Sequence, residues 1–103
     1  MDDLREFPEA VRRHVGLTLF RLQQGESPSD VKHLKGFQGV YEIRSNFDTD
    51  TYRTVYALKI RDKIYVLHAF KKKSKSGDST PPRDIDILKR RLQAVRHSME
   101  DSP

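Results

Sequence analysis

The chain has 103 residues, enough for one domain around a single modest core. It has no cysteine, which excludes disulfides and thiolate metal sites, and no apolar run nears the ~20 residues that span a bilayer. The net charge of +5 is unevenly placed. Residues 1–30 hold four basic groups against six acidic, residues 31–76 eleven against four, and residues 77–103 five against five. The excess therefore sits in the middle third. That imbalance fits either a polyanion-facing surface or a solvated face that aids solubility.

The opening "MDDLREFPEA" is acidic and lacks the basic start and apolar stretch of a secretory leader, so a soluble cytoplasmic protein is expected. Leu4, Phe7, Val11, Val15, Leu19 and Leu22 recur at three- and four-residue steps, which predicts a helix over 4–24. Pro8 is expected in its first turn and Gly25 at its end. "SPSD", Ser27–Asp30, reads as the start of a second, short helix with Ser27 as cap and Asp30 closing a capping box. "KGFQG" breaks it.

Three strand-like runs follow: Val40–Ser45, Tyr52–Ile60 and Lys63–Lys72, each rich in β-branched and aromatic residues. "NFDTDT" and a two-residue "RD" or "DK" turn separate them, as in antiparallel hairpins. With "RD", Arg53 lies opposite Phe70 and Val55 opposite His68. With "DK", both partners move by two residues. Either register gives the same faces, because side chains alternate with period two. Arg53, Val55, Ala57 and Lys59 should share one face with Ile64, Val66, His68, Phe70 and Lys72. Tyr52, Tyr56 and Leu58 should share the other, under the helices, with Tyr65, Leu67 and Ala69. Lys71, Lys72, Lys73 and Lys75 then crowd the exit of the last strand, before the short "SKSGDSTPP" loop. Arg83–Met99 closes the chain as a helix, with Ile85, Leu88, Leu92, Val95 and Met99 on one stripe and Thr80 or Pro81 at its start. The order is α-α-β-β-β-α, in one domain over residues 1–103. His14, His33 and His97 share no spacing with carboxylates that would make a metal site, and no cofactor is implied.

"VYEIR", "YRTVYALKI", "YVLHAFKKKSKS" and the "TP" before a basic amphipathic helix resemble the phage-derived HigB-like toxins of the RelE/ParE toxin–antitoxin superfamily. The N-terminal "DDLREFPEAVRRHVGLTLFRLQQGESPSDVKHLKG" is similar to their helical half, so the likeness covers nearly the whole chain. The resemblance implies a small α+β, RelE-like fold: a twisted antiparallel sheet of three or four strands, N-terminal helices and a C-terminal helix, with the helices on one side. It implies a ribosome-dependent mRNA endonuclease that inhibits translation, with ribosome and mRNA as partners and no membrane. A helix-turn-helix antitoxin would silence it. Family members begin with a short strand before the "DDLREFP" segment. This chain starts at or just after that point, so the expectation is either a trimmed or misassigned start or a missing strand, and the second would leave an unpaired sheet edge.

Metal-independent RNA cleavage needs a base for the attacking 2′-OH, an acid for the leaving 5′ oxygen, and cations beside the pentacoordinate phosphate. Arg53 has the planar fork that matches phosphate oxygens, and resemblance to the family's "YR-V-Y" strand makes it the first choice. Arg44, closing "YEIR", is second, although it could simply pair with Glu42. Lys71 and Lys72 stand where the superfamily keeps acid–base or charge-stabilising groups, and a lysine in a positive site has a lowered pKa. His68 has a suitable intrinsic pKa, but a histidine inside a strand is more often a hydrogen-bonded core residue. Lys73 and Lys75 are candidates for phosphate positioning, and Phe70 for stacking on a base unless it belongs to the core. Two alternatives remain: a non-catalytic relative that binds RNA or antitoxin, and a gyrase-targeting ParE-type toxin on the same fold.

Overall fold

The computed structural model describes residues 2–60, 63–72 and 80–100. Its elements are α1 (Asp2–Arg5), α2 (Glu9–Gln23), β1 (Val31–His33), β2 (Val40–Phe47), β3 (Asp50–Ile60), β4 (Lys63–Lys72) and α3 (Pro82–Glu100). The strands form one antiparallel sheet in the order β1-β2-β3-β4, so the chain is the α+β protein the sequence implies. Among the described residues no helix is long and apolar enough to cross a membrane.

The expected helix over 4–24 is two helices. Pro8 stands just before α2 at φ −54°, ψ 149°, an extended conformation that separates α2 from α1. At the other end Gly25 does stop the helix. It takes φ 85°, its N–H donates to the Leu22 carbonyl at 3.1 Å, and Glu26 N–H donates to the Arg21 carbonyl at 3.0 Å. Those two bonds are a Schellman closure, which needs the left-handed conformation that glycine adopts without strain.

No helix follows at Ser27–Asp30. Asp30 is committed elsewhere: its carboxylate meets His14 Nε2 at 2.8 Å, and its carbonyl accepts from Arg44 N–H at 3.0 Å. The chain therefore runs extended, and Val31, Lys32 and His33 pair with Ile43, Glu42 and Tyr41. This short β1 is the fourth strand, and it covers the β2 edge that a three-stranded sheet would leave open. The β2–β3 hairpin is also tighter than expected. Pairing continues to Phe47↔Asp50, leaving a two-residue turn with Asp48 at φ 56°.

The β3–β4 register follows the "RD" alternative at both ends, with Arg53↔Phe70, Val55↔His68 and Ile60↔Lys63. Between them it slips. Tyr56 lies opposite Val66 and Ala57 opposite Tyr65, so Leu67 is an extra residue on β4, and β3 makes up the difference before Ile60. The slip reverses the expected faces of the first half of β4. Tyr65 and Leu67 join Val40, Val55, Ala57, Phe70, Leu88 and Leu92, in the cluster beneath α3. Ile64 goes instead to the α2 side, with Phe7, Val11, Val15, Ile43, Tyr52 and Tyr56. Helices thus cover both faces of the sheet, α2 across β2 and α3 along β4, not one side as the resemblance implies.

Two apolar layers on one thin sheet make the fold depend on both. Ile43→Ala on the α2 side and Leu88→Ala on the α3 side should each cost about 2–5 kcal/mol, read as a lowered urea midpoint. Burial, with the Tyr41 ring beside it, pushes the Tyr56 hydroxyl from 10.0 to about 12. The unfolded chain gives up that proton first. Stability should therefore fall as pH rises from 10 towards 12, by up to ~1.4 kcal/mol per unit, and Tyr56→Phe should flatten that limb of a pH–stability curve.

Candidate nucleic-acid interface

Residues directly opposite one another in a sheet share a face, so the register sorts the candidates. Two cross-strand rows point to the α3 side, Glu42–Val55–His68 and Arg44–Arg53–Phe70, and the register places Asn46, Thr51 and Lys72 in a third row of that face. Over β3 and β4 this face is buried by α3. A groove of about 440 Å³ opens beside β1 and β2, lined by His33, Leu34, Lys35, Glu42 and Arg44, with Thr80 and Ile85 from the start of α3 opposite.

Glu42 organises the groove wall. Arg44 Nε donates to its Oε1 at 2.9 Å, and Arg53 Nη1 donates to its Oε2 at 3.5 Å. The two guanidiniums differ in access. The Arg53 side chain is 3% exposed and Glu42 4%, whereas Arg44 is 23% exposed at the groove. Arg53 is therefore a buried counter-ion to Glu42, and Arg44 is the guanidinium that an outside phosphate can reach. This reverses the sequence ranking of the two arginines.

His68 is fixed at both ring nitrogens. Nε2 lies 2.7 Å from Asp84 Oδ1, and Nδ1 lies 3.2 Å from Arg91 Nη1. Arginine can only donate, so Nδ1 accepts and Nε2 carries the proton that Asp84 receives as a hydrogen bond. Arg91 Nη1 also donates to the Leu67 carbonyl at 2.9 Å, bracing the backbone where β4 bulges. His68 thus joins β4 to the first turn of α3, where the Asp84 carboxylate also suits the helix dipole. It holds the groove's far wall in place and does not face substrate.

The remaining candidates separate. Phe70 stacks on His68 at 5.3 Å within the buried cluster under α3, so it is a core residue and not a platform for a base. Lys71 points to the opposite face from Arg53 and pairs with Asp50 at 3.1 Å. That hydrogen bond and the Asp50 charge hold its ammonium above the usual lysine value, opposite to the lowered pKa expected of it. Lys72 is placed by register on the same side as Arg53. Its side chain, and Lys73 and Lys75 entirely, lie outside the described residues.

Sequence reasoning did not nominate His33, Lys35, Thr80 or Asp84 for this site. Lys35 and His33 gave a signal only through the basic middle third, and Asp84 gave none, because it meets His68 sixteen residues away. Glu42 was visible only as a partner for Arg44, two positions along a strand and so on the same face. Among the described residues no group of three or more His, Asp or Glu could hold a metal ion.

Removing the carboxylate between two guanidiniums leaves buried positive charge. Glu42→Ala should therefore cost about 3–5 kcal/mol, while Arg44→Ala at the rim should cost less than about 1 kcal/mol, both measured by chemical unfolding.

A family model described as "Phage derived protein Gp49-like (DUF891)" matches residues 2–93. No curated protein and no solved structure matches the chain.

Proposed function

The chain belongs to the Gp49-like family of phage-derived proteins, and from that membership and the groove we infer a toxin of the HigB-like, RelE/ParE type that cleaves mRNA on the ribosome. The observation that carries this reading is Arg44, clamped by Glu42 at the mouth of a groove that Lys35 and His33 also line. Glu42 orients the Arg44 guanidinium at the groove, and the planar fork of an arginine matches the oxygens of a phosphate. The cationic middle third of the chain gives such an anion a reason to come.

The reaction needs no metal. A base removes the proton of a 2′-OH, the oxygen attacks the adjacent phosphorus, and the 5′ oxygen leaves with a proton from an acid, giving a 2′,3′-cyclic phosphate. Arg44 offsets the charge that builds on the phosphorane oxygens. Arg53, behind the wall, sets the Glu42 carboxylate and through it the Arg44 fork. His33 and Glu42 line the groove and are the groups proposed to exchange these protons, and the register puts Lys72 on the same face of the sheet. A helix-turn-helix antitoxin is the proposed silencing partner.

A second reading has its own support. His68 is engaged at both nitrogens and Arg53 is buried, so two of the expected catalytic groups are structural. A non-catalytic relative that binds RNA or antitoxin with the same groove would look like this.

Primer-extension mapping of cellular mRNA after induced expression separates the two. The nuclease leaves codon-positioned cuts, and Arg44→Ala should reduce them by about 100-fold or more at unchanged protein level. A wild-type chain that arrests growth without cuts would leave only the binding reading.

A further inference from the structure

Helix α2 buries Val11, Val15 and Thr18 against the sheet, yet its outer side is not the polar surface such a helix usually shows. Ala10, Arg13, Leu17, Phe20 and Gln24 follow one another at steps of three and four residues, so they form a single stripe opposite the buried one. Leu17 is 51% exposed and Phe20 57% exposed. The stripe is about 21 Å long, two heptads of a helix seam. At its N-terminal end a cleft of about 270 Å³ leads from Ala10 to Phe47 of the β2–β3 hairpin, with polar side chains, Arg44 among them, along its wall.

We propose that this outer face of α2 is the docking surface for an acidic amphipathic helix of another protein. The geometry selects a helix. Ala10, Leu17 and Phe20 are the apolar members of a straight, heptad-spaced seam that Arg13 and Gln24 complete, and Gly16 beside them leaves backbone that a partner can approach closely, with no atom within 4 Å of where a Cβ would stand. Charge selects the partner's sign. α2 carries Arg12, Arg13 and Arg21 against the single carboxylate of Glu9, which pairs with Arg13 at 2.8 Å. Arg12 and Arg21 flank the stripe on its two sides. A partner helix with Leu or Ile along its seam and Glu or Asp on its shoulders would cover Leu17 and Phe20 and meet both guanidiniums. A second copy of this chain would set arginine against arginine, which disfavours a symmetric α2–α2 dimer. Two large apolar side chains are also too little for an obligate interface but suit a helix-in-groove contact.

Leu17 and Phe20 lie on the outer side of α2, whereas the groove opens on the α3 side of the sheet, so an occupant of these two residues would leave the groove open. The inference takes from the toxin reading only the identity of the protein that supplies the helix. The experiment reads the surface itself.

The full-length chain would be panned against a displayed library of single helices about 21 residues long, with seam and shoulder positions randomised. Binders with apolar seams and acidic shoulders should be enriched, and Phe20→Ser or Leu17→Ser should weaken them at least tenfold. Arg12→Glu with Arg21→Glu should turn the selection towards basic shoulders. These positions are exposed, so circular dichroism and the melting temperature should stay at wild-type values. No enrichment, or binders indifferent to Phe20→Ser, overturns the proposal. So does a dimer in sedimentation velocity that Phe20→Ser dissolves, since the occupant would then be a second copy. Loss of mRNA cuts in Arg44→Ala with the selected helices still bound would leave this surface intact. Absence of cuts in the wild type would discard the nuclease and not the surface.

Discussion

The carboxylate of Glu42 stands between two guanidiniums, and the groove depends on that arrangement. Two arginines directly opposite on adjacent strands, as Arg44 and Arg53 are, repel one another. Glu42, two residues before Arg44 on the same face, turns this repulsion into a three-charge cluster with its negative member in the middle. The innermost guanidinium loses most of its hydration, which a hydrophobic replacement would not have to do. The cluster is therefore poorly explained as a device for stability. Its result is a partly exposed rim arginine that Glu42 orients at the groove, and such pre-organisation is what anion binding rewards.

The opposite wall is set by a different device. The extra residue at Leu67 shifts the phase of β4, so that Tyr65 and Leu67 feed the α3 side while His68 and Phe70 remain there. Four β4 side chains of that stretch can then pack towards α3, more than strict alternation allows. His68 takes its place between Asp84 and Arg91 because of this packing, and Arg91 also holds the Leu67 carbonyl. The bulge, the histidine and the first turn of α3 are one unit. It places Thr80 and Ile85 across from Arg44, so the groove's width depends on a backbone irregularity and not on the groove's own residues.

That unit marks where the sequence stops being legible. Periodicity located α2 and α3, β-propensity located β2 to β4, and Gly25 announced its own helix end. Of the two turns the sequence left open, "RD" matches the register at both ends of the β3–β4 hairpin. Three things were hidden. The Leu67 bulge has no glycine to signal it, so parity carried through it inverted the faces of residues 64–67. Asp30 looked like a capping residue because its real partner, His14, comes sixteen residues earlier, and with it β1 was missed. The ranking of Arg53 over Arg44 failed because residue type reports what a guanidinium can do, whereas burial decides what can reach it. Family resemblance also rests on residue type and could not make that distinction.

The two faces of the sheet also divide the chain's charge in a way that composition alone obscures. Residues 1–30 are net acidic, yet five of their six carboxylates, Asp2, Asp3, Glu6, Glu26 and Asp30, lie outside α2, and Asp30 is paired with His14. What α2 itself shows outside is three arginines around a leucine and a phenylalanine. The groove side shows Lys32 on β1, Arg44 on β2 and Lys35 in the connection between them. Both faces are cationic, but only one is apolar as well. A polyanion gains from charge and little from Leu17 and Phe20, so it prefers the groove. An acidic helix with an apolar seam gains from both terms at α2 and can bury nothing large in the groove. The same sign of charge can thus serve two kinds of partner without competition, because the hydrophobic contribution differs between the faces.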